Sequence, residues 1–446
     1  MQNCFVQAPV CVPSRQTFFT GRYPHSHKNR VNYTPLDDQE ILMQKHLQNA
    51  GYDTAFVGKL HYWPPTREKG LESGFNEGRI HDAADTNQWS DYYCWLKEHA
   101  PEYTDNIRAL KNISTGNPFT SRIPDEFHET TWCGKETRRI LQERLCNDKP
   151  FFLFSSFWKP HSPFEIPEPW ASMYNDVEIP LPMEENVTSL KQLPIPVQKL
   201  IFRESTPAFE IDRDTLQWMY RSYYAAVSQI DNEVGLTLEA LDELGLKDNT
   251  IVVFVSDHGD FLGEHGIMGK NAFYESAMHV PMIIRHPESI SPGSYKDLVE
   301  STDFMSTIFE LCSLEVPQNN QGRSFAQLIT KERLGSSYIP RRCVFAENII
   351  PEVINDNEHE FPYIRGKGVG EILHPDAKMV RTERWKYLYY VGHRDELYDL
   401  ENDPKEKKNL ASDKCYEYLV RNFRDMLLDW MITADESDQI APRWLL

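Results

Sequence analysis

A cysteine, a proline and an arginine near the amino terminus form the stretch most suited to chemistry. Cys11 is followed by Pro13, Ser14 and Arg15, and the proline suits a first helical position because its φ is already set and it has no N–H to donate. The free N–H groups and the dipole of a first helical turn favour an anion. A thiol there, close to a guanidinium, predicts an anion-handling site, although a buried free cysteine is the commonest fate of this residue type.

The longer string around Cys11 closely resembles the signature of type I sulfatases, which belong to the alkaline-phosphatase-like superfamily. Cys-Val-Pro-Ser-Arg matches the signature Cys-x-Pro-Ser-Arg, and Phe19-Thr20-Gly21-Arg22 matches the trailing Leu-Thr-Gly-Arg with phenylalanine in place of leucine. The resemblance implies that a maturation enzyme oxidises Cys11 to formylglycine after synthesis. It also implies that the hydrate of this aldehyde is the nucleophile.

Two further strands are expected to deliver side chains to the same edge of a sheet. Residues 52–57 predict a buried strand that leads to Lys59 and His61, and the apolar run 151–157 predicts a central strand, covered on both faces, that leads to His161. Ligand-binding groups lie at the carboxyl ends of strands in open α/β sheets. The strings Gly-Lys-Leu-His and Pro-His-Ser-Pro-Phe resemble the second and third stretches of the family. A solvated lysine and loop histidines are the alternatives.

A third strand, at 251–255, predicts the metal site. It leads to Asp257 and His258, and the pair resembles the calcium-binding Asp-Asn or Asp-His pair of the family. Imidazole is an uncommon ligand for a hard cation, so His258 is the weaker candidate. The resemblance adds the residue derived from Cys11 as a further ligand and implies calcium in preference to magnesium. Lys270 occupies the substrate-facing position of the family's fourth stretch.

The resemblance assigns a role to each of these side chains. Transfer of a sulfate group needs charge neutralisation at its oxygens, which calcium, Arg15, Lys59 and Lys270 would supply. His61 is the candidate base that lets the hydrate collapse to the aldehyde and expel sulfate, because histidine titrates near neutrality. His161, with Lys270, would protonate the leaving alcohol.

The pattern of elements predicts how the chain positions these groups. Strands alternate with helices up to about residue 340, which predicts an α/β fold with a mostly parallel central sheet and helices on both faces. Short alternating strands and a helix at about 413–432 then predict a smaller antiparallel C-terminal sheet, and the string beginning at Glu396 resembles the C-terminal subdomain of the family. We expect a catalytic domain at 1–340, with an insertion at about 63–128, and an α+β subdomain at 341–446.

Composition excludes several classes of function. The formal net charge is -20, from 67 acidic and 47 basic residues, which argues against a nucleic-acid partner. No run of about 18 apolar residues is present, so no membrane span is expected. The eight cysteines are scattered and predict neither a zinc site nor a dense disulfide framework. A soluble protein is expected, and the sequence leaves a periplasmic, secreted or cytoplasmic location open.

The substrate class is a weaker expectation than the reaction. Trp63, Trp170, His25 and His27 could line a sugar subsite, which favours a sulfated glycan over another sulfated small molecule. Two alternatives remain. The first is a phosphonate or phosphate monoester hydrolase of the same superfamily, and the second is an inactive sulfatase-like fragment or binding protein.

The resemblance also implies an aspartate pair that holds the calcium from a first strand upstream of the signature cysteine. The ten residues before Cys11 contain no Asp or Glu. Asp37 and Asp38 lie downstream, where Asp37 and Glu40 form the capping-box pattern of a helix that runs to about Asn49. We therefore expect the chain to lack this first segment, with an unfilled strand position in the sheet. Calcium takes about six to eight oxygens, so it should bind weakly or not at all.

Overall fold

Strands and helices alternate along most of the chain, as the sequence predicts for an α/β protein. The computed structural model describes residues 1–32, 34–82, 90–107, 117–144, 148–182, 192–203, 208–331, 338–349 and 376–434. The strands are β1 (Asn3–Phe5), β2 (Asp53–Gly58), β3 (Glu77–Ile80), β4 (Phe151–Ser156), β5 (Val252–Val255), β6 (His279–Val280), β7 (Met282–Arg285), β8 (Leu298–Glu300), β9 (Cys343–Ile349), β10 (Asp376–Thr382), β11 (Trp385–Tyr390) and β12 (Glu396–Asp399). The α-helices are α1 (Cys11–Thr20), α2 (Pro24–His27), α3 (Met43–Asn49), α4 (Arg67–Glu72), α5 (Asp91–His99), α6 (Glu129–Arg144), α7 (Ile195–Arg203), α8 (Arg213–Glu243), α9 (Glu275–Met278), α10 (Asp303–Leu311), α11 (Ala326–Ile329) and α12 (Glu417–Thr433).

Helix α1 carries the candidate nucleophile as its first residue. It begins at Cys11, earlier than the predicted start at Pro13, and every residue of the helix is buried. The proline loses no hydrogen bond there, because the N–H groups of a first turn have no partner inside the helix. The helix ends at Gly21, whose φ of 65° is left-handed and whose N–H reaches the Thr17 carbonyl at 2.9 Å. Burial on all sides fixes the direction in which Cys11 faces.

The parallel part of the sheet has the order β3-β2-β4, and β2 pairs in parallel with both neighbours. All residues of β2 after Asp53 are buried, which confirms the buried strand predicted at 52–57. Strand β3 lies within 63–128, the range predicted as an insertion, so this part of the range belongs to the sheet. Residues 83–89 and 108–116 of that range lie outside the described residues.

Strands β4 and β5 do not pair with each other among the described residues. Strand β4 pairs with β2, and β5 pairs antiparallel with β7. Five of the six residues of β4 are only half-buried, although the sequence predicts a central strand covered on both faces. Phe254 and Ile283 face each other across β5 and β7 and are 40% and 63% exposed. Two apolar side chains of this pair of strands are therefore open to solvent in the part of the chain that the structure describes.

The remaining strands join the catalytic part to the C-terminal part. Strand β1 lies between β6 and β8. The C-terminal sheet is antiparallel, with the order β12-β11-β10-β9, and α12 packs on it with Trp430 fully buried. The Glu347 N–H on β9 donates to the Gln7 carbonyl at 2.9 Å, next to β1. The antiparallel sheet with its helix is confirmed, while residues 350–375 and 435–446 lie outside the described residues.

The predicted helix start at Asp37 is wrong. Helix α3 begins at Met43. The Asp37 carboxylate accepts the backbone N–H of Gln39 at 3.0 Å and pairs with Lys28 at 2.7 Å, so it stabilises a turn instead of a helix. Within the described ranges, no helix combines the length and the apolar character needed to cross a bilayer.

Candidate active site

The Cys11 thiol lies at the centre of a group of cationic side chains. It is 1% exposed, and its Sγ lies 2.9 Å from Lys270 Nζ, 3.1 Å from His258 Nε2 and 3.7 Å from Lys59 Nζ. Burial raises the pKa of the thiol, but the two lysines outweigh it and hold the pKa well below its ordinary value. This atom stands where the oxygens of a formylglycine residue would lie, and its surroundings favour negative charge.

Lys59 is held in place by a tight turn at the end of β2. Gly58 has a φ of 90°, and a Cβ there would lie 2.0 Å from the carbonyl oxygen of Ser156 on β4, so only glycine allows the two strands to end so close together. The ammonium group of Lys59 lies 4.3 Å from the centre of the Trp158 ring, an attractive cation–π geometry. Burial lowers the pKa of Lys59.

His161 and Lys270 form a pair beside the thiol. The His161 Nδ1 atom lies 2.7 Å from the Ser162 carbonyl oxygen, so Nδ1 carries the proton and Nε2 is the acceptor. Lys270 Nζ donates to that Nε2 atom at 3.2 Å. Burial lowers the pKa of His161 to about 4, so the imidazole is neutral and accepts a hydrogen bond from the lysine.

Arg15 contacts the Asp257 carboxylate and the strand ends. Its Nε lies 2.7 Å from Asp257 Oδ2, and its Nη1 donates to the Lys59 carbonyl at 2.7 Å and to Ser156 Oγ at 3.0 Å. The Ser14 hydroxyl donates to the Asp257 carbonyl. The first turn of α1 therefore ties together the ends of β2, β4 and β5. The structure places the guanidinium on Asp257, whereas the sequence predicts it at the sulfate oxygens.

Three side chains bring possible metal ligands together. One ligand atom each from Cys11, Asp257 and His258 lies within 4.8 Å of the others. The His258 Nδ1 atom lies 2.7 Å from the Gly259 carbonyl, which leaves Nε2 as the lone-pair donor towards the site. Burial raises the pKa of Asp257, but Arg15 lowers it more, so the carboxyl is ionised. These donors fit a divalent cation but supply only part of the six to eight oxygens that calcium takes.

The hydrogen-bond contacts of the Cys11 thiol among the described residues do not include His61. Its backbone has a left-handed φ of 59° and its N–H donates to the Asp82 carboxylate. In the described chain its ring makes no hydrogen bond, and Nδ1 is buried without a partner. Sequence reasoning missed Asp82, which is fully buried. The signal was present, because Asp82 follows β3, but the predicted insertion at 63–128 hid that strand.

Most of the predicted sugar-subsite residues are engaged inside the protein. His25 pairs with Glu347 at 2.5 Å, and His27 is fully buried, which lowers its pKa to about 3. Trp170 donates its indole N–H to an aspartate carboxylate at 2.9 Å, and Trp63 is half-buried. The two histidines are therefore held by contacts inside the protein, while the sugar subsite itself stays a prediction.

Comparisons with known proteins give a matching family model, similar sequences and a similar fold. The family model described as Sulfatase matches residues 1–314. The chain is 28% identical to an arylsulfatase of Clostridium perfringens, covering 98% of this chain and 87% of that one, and 27% identical to an endo-4-O-sulfatase of Bacteroides thetaiotaomicron, covering 95% and 80%. Its fold is similar to that of a phosphonate monoester hydrolase from Silicibacter pomeroyi, with a TM-score of 0.83, 21% identity and coverage of 99% and 92%.

Proposed function

Since the chain belongs to the sulfatase family of sulfuric ester hydrolases, we propose that it hydrolyses the sulfate monoester of a carbohydrate at the site around Cys11. One observation carries the proposal. Lys59 and Lys270 reach the position of the nucleophile, and Asp257 and His258 bring possible metal ligands to the same position. The arrangement suits a tetrahedral anion that must be held, attacked and released.

Two groups that the family uses would act at this site. Formylglycine at position 11 supplies a nucleophile, and a divalent cation, calcium in preference to magnesium, supplies further charge neutralisation. Asp257, His258 and residue 11 would hold the cation. A maturation enzyme that recognises the string from Cys11 to Arg15 is the implied partner.

The lysines act on the charge of the sulfate group. Lys59 and Lys270 both reach the Cys11 Sγ position, at 3.7 and 2.9 Å, so sulfate oxygens carried there lie within reach of both ammonium groups. Such donors are most effective in a buried site that water does not screen. The ammonium group of Lys59 is held by its contact with the Trp158 ring. The ammonium group of Lys270 is held by the backbone segment that carries it.

The pair of His161 and Lys270 is assigned to the leaving alcohol. The lysine already donates to the histidine Nε2, and an anionic sulfate beside the ring raises the pKa of His161 from its low value in the free site. Either group can therefore present a proton to the departing oxygen. His61 is assigned as the base that releases sulfate.

The carbohydrate is proposed from likeness. The endo-4-O-sulfatase named above covers 95% of this chain, and the string Pro-His-Ser-Pro-Phe around His161 is similar to that of glycan-desulfating members of the family. The chain is expected to act on a sulfated saccharide more efficiently than on an aryl sulfate.

A substrate panel tests the proposed function. We would measure kcat/KM for sulfated mono- and disaccharides, for aryl sulfates, and for the phosphonate monoester of one of the same alcohols, with the Cys11→Ala variant as the blank. The expected result is the highest kcat/KM on a sulfated saccharide. A preference for the phosphonate over the sulfate of the same alcohol would instead assign a phosphonate monoester hydrolase. No turnover by protein that carries formylglycine would assign a binding role.

A further inference from the structure

The segment 269–275, which carries Lys270, is fastened to the C-terminal sheet by buried charges. Lys386 on β11 has a fully buried side chain. Its Nζ donates to the Phe273 carbonyl at 2.9 Å and lies 2.7 Å from Glu275 Oε1 and 2.8 Å from Glu406 Oε1. An ammonium group has three N–H donors, and two of its three partners here belong to the segment.

Glu406 holds the end of the same segment through the backbone. Its Oε2 accepts the N–H of Glu275 at 2.8 Å, and Glu275 is the first residue of α9. A carboxylate on a first-turn N–H satisfies a donor that has no partner inside the helix. Glu406 itself is 3% exposed, so water replaces this contact poorly.

Glu396 fastens the segment at Tyr274. This fully buried carboxylate on β12 accepts three tyrosine hydroxyls, from Tyr274 at 2.9 Å, Tyr390 at 2.8 Å and Tyr398 at 2.7 Å. Only Tyr274 comes from the segment, while the other two belong to the C-terminal sheet. The string that begins at Glu396, which the reaction itself does not use, therefore faces the residues that follow Lys270.

On its other side the segment meets the nucleophile. The Asn271 N–H donates to the Pro9 carbonyl at 3.1 Å, close to Cys11, and the Asn348 side chain donates to the Asn271 carbonyl at 2.8 Å. The segment is therefore fixed between the C-terminal sheet and the start of α1. Lys270 immediately precedes these attachments, so its backbone position depends on them.

We propose that Lys386, Glu396 and Glu406 are positioning residues that set the place of Lys270 beside the nucleophile and His161. Removing one partner of a buried ion pair leaves the other charge uncompensated, so the segment keeps its place only while this network is complete. A displacement of about 1 Å in a catalytic group costs about 10²-fold in rate. The inference rests on the proposed function, in which Lys270 serves the leaving group.

The test compares variants by the leaving group of the substrate. Glu406→Ala removes the acceptor of the Glu275 N–H, and Glu406→Gln keeps one. Asp399→Ala is the matched control, because Asp399 lies on β12 with Glu396 but holds Arg384, at 3.0 and 2.7 Å. Lys270→Ala defines the effect of losing the lysine itself. For each variant we would measure kcat/KM on a saccharide sulfate and on nitrophenyl sulfate, together with the thermal melting temperature.

The decrease in kcat/KM caused by a displaced Lys270 should depend on the leaving group of the substrate. Glu406→Ala is expected to lose up to about 10²-fold on the saccharide sulfate and only a few fold on nitrophenyl sulfate, whose oxygen departs without a proton. Glu406→Gln should recover most of the loss, and Asp399→Ala should affect both substrates equally. If Glu406→Ala fails to fold, Tyr274→Phe removes a single hydroxyl and should give the same bias at smaller size.

Two results would overturn different statements. Equal losses on both substrates in the Glu406 and Tyr274 variants, while Lys270→Ala retains the bias, would overturn the positioning role and leave the proposed function standing. Equal losses in Lys270→Ala itself would overturn the leaving-group role of the lysine on which the inference rests, while failure of the proposed function would appear separately, as absence of sulfate hydrolysis in the substrate panel.

Discussion

The active site contains two groups of residues, named here the cationic side and the metal side. The described residues supply more of the contacts expected of the first group than of the second. On the cationic side, Lys59, Lys270 and His161 reach the nucleophile position, and each is fixed by a second contact. On the metal side, Asp257 and His258 approach the same atom, but Arg15 occupies one carboxylate oxygen of Asp257.

The difference separates two physical requirements. A buried ammonium group stabilises negative charge through its field, so a few well-placed lysines are sufficient. A hard cation must instead be surrounded by enough ligand atoms, about six to eight for calcium. The cationic side is therefore expected to work as it stands, while the metal side depends on oxygens from beyond the described set.

The largest effect is expected at the atom that both sides share. Cys11→Ala should remove turnover, a loss on the order of 10⁶-fold in kcat as seen when nucleophiles are deleted. Cys11→Ser should allow at most one slow round, because a serine ester has no aldehyde to collapse to. Burst kinetics on an aryl sulfate would measure both. Steady turnover by the serine variant would contradict the assignment of the nucleophile.

The next effect concerns the metal side. We expect calorimetric titration of the 446-residue chain with calcium to show weak binding or none, because one free carboxylate oxygen and one imidazole make a poor site. Asp257→Asn should abolish the binding that remains, and Asp399→Asn is the control, because Asp399 holds Arg384 instead. Tight stoichiometric binding by the unchanged chain would show that further ligands complete the site.

A smaller effect is expected on the cationic side. His161→Ala should lower kcat on saccharide sulfates by about 10²–10⁴-fold, the usual contribution of a general acid, and should affect an activated aryl sulfate much less. The measurement is a plot of rate against the leaving-group pKa for both proteins. Parallel lines would mean that His161 only holds its loop, as its contact with Ser162 allows.

The sequence predicts the parts of the site that depend on strand ends. Lys59 and His161 follow the parallel strands β2 and β4, which end at one edge, so their convergence follows from local patterns. Asp257 follows β5, whose described partner β7 is antiparallel. The resemblance to the family adds Lys270, which lies far along the chain from Cys11 but contacts it at 2.9 Å. Their chemical roles stay predictions.

Other features depend on long-range contacts that no local pattern contains. The Asp37 carboxylate has two partners, Lys28 and the Gln39 N–H, that compete with the capping pattern. His61 adopts a left-handed backbone whose N–H is held by Asp82. The pairing of Arg15 with Asp257 joins residues far apart in the chain. Side-chain direction and pairing of this kind emerge only from the packed structure.

The identity of residue 11 in active protein tests the central claim most directly. The chain would be produced together with a formylglycine-generating maturation enzyme, and the peptide that contains residue 11 would be analysed by mass spectrometry alongside the sulfatase rate. We predict that the fraction of chains carrying formylglycine rises in proportion to the rate. Fully active protein with an unmodified Cys11 thiol would contradict the account.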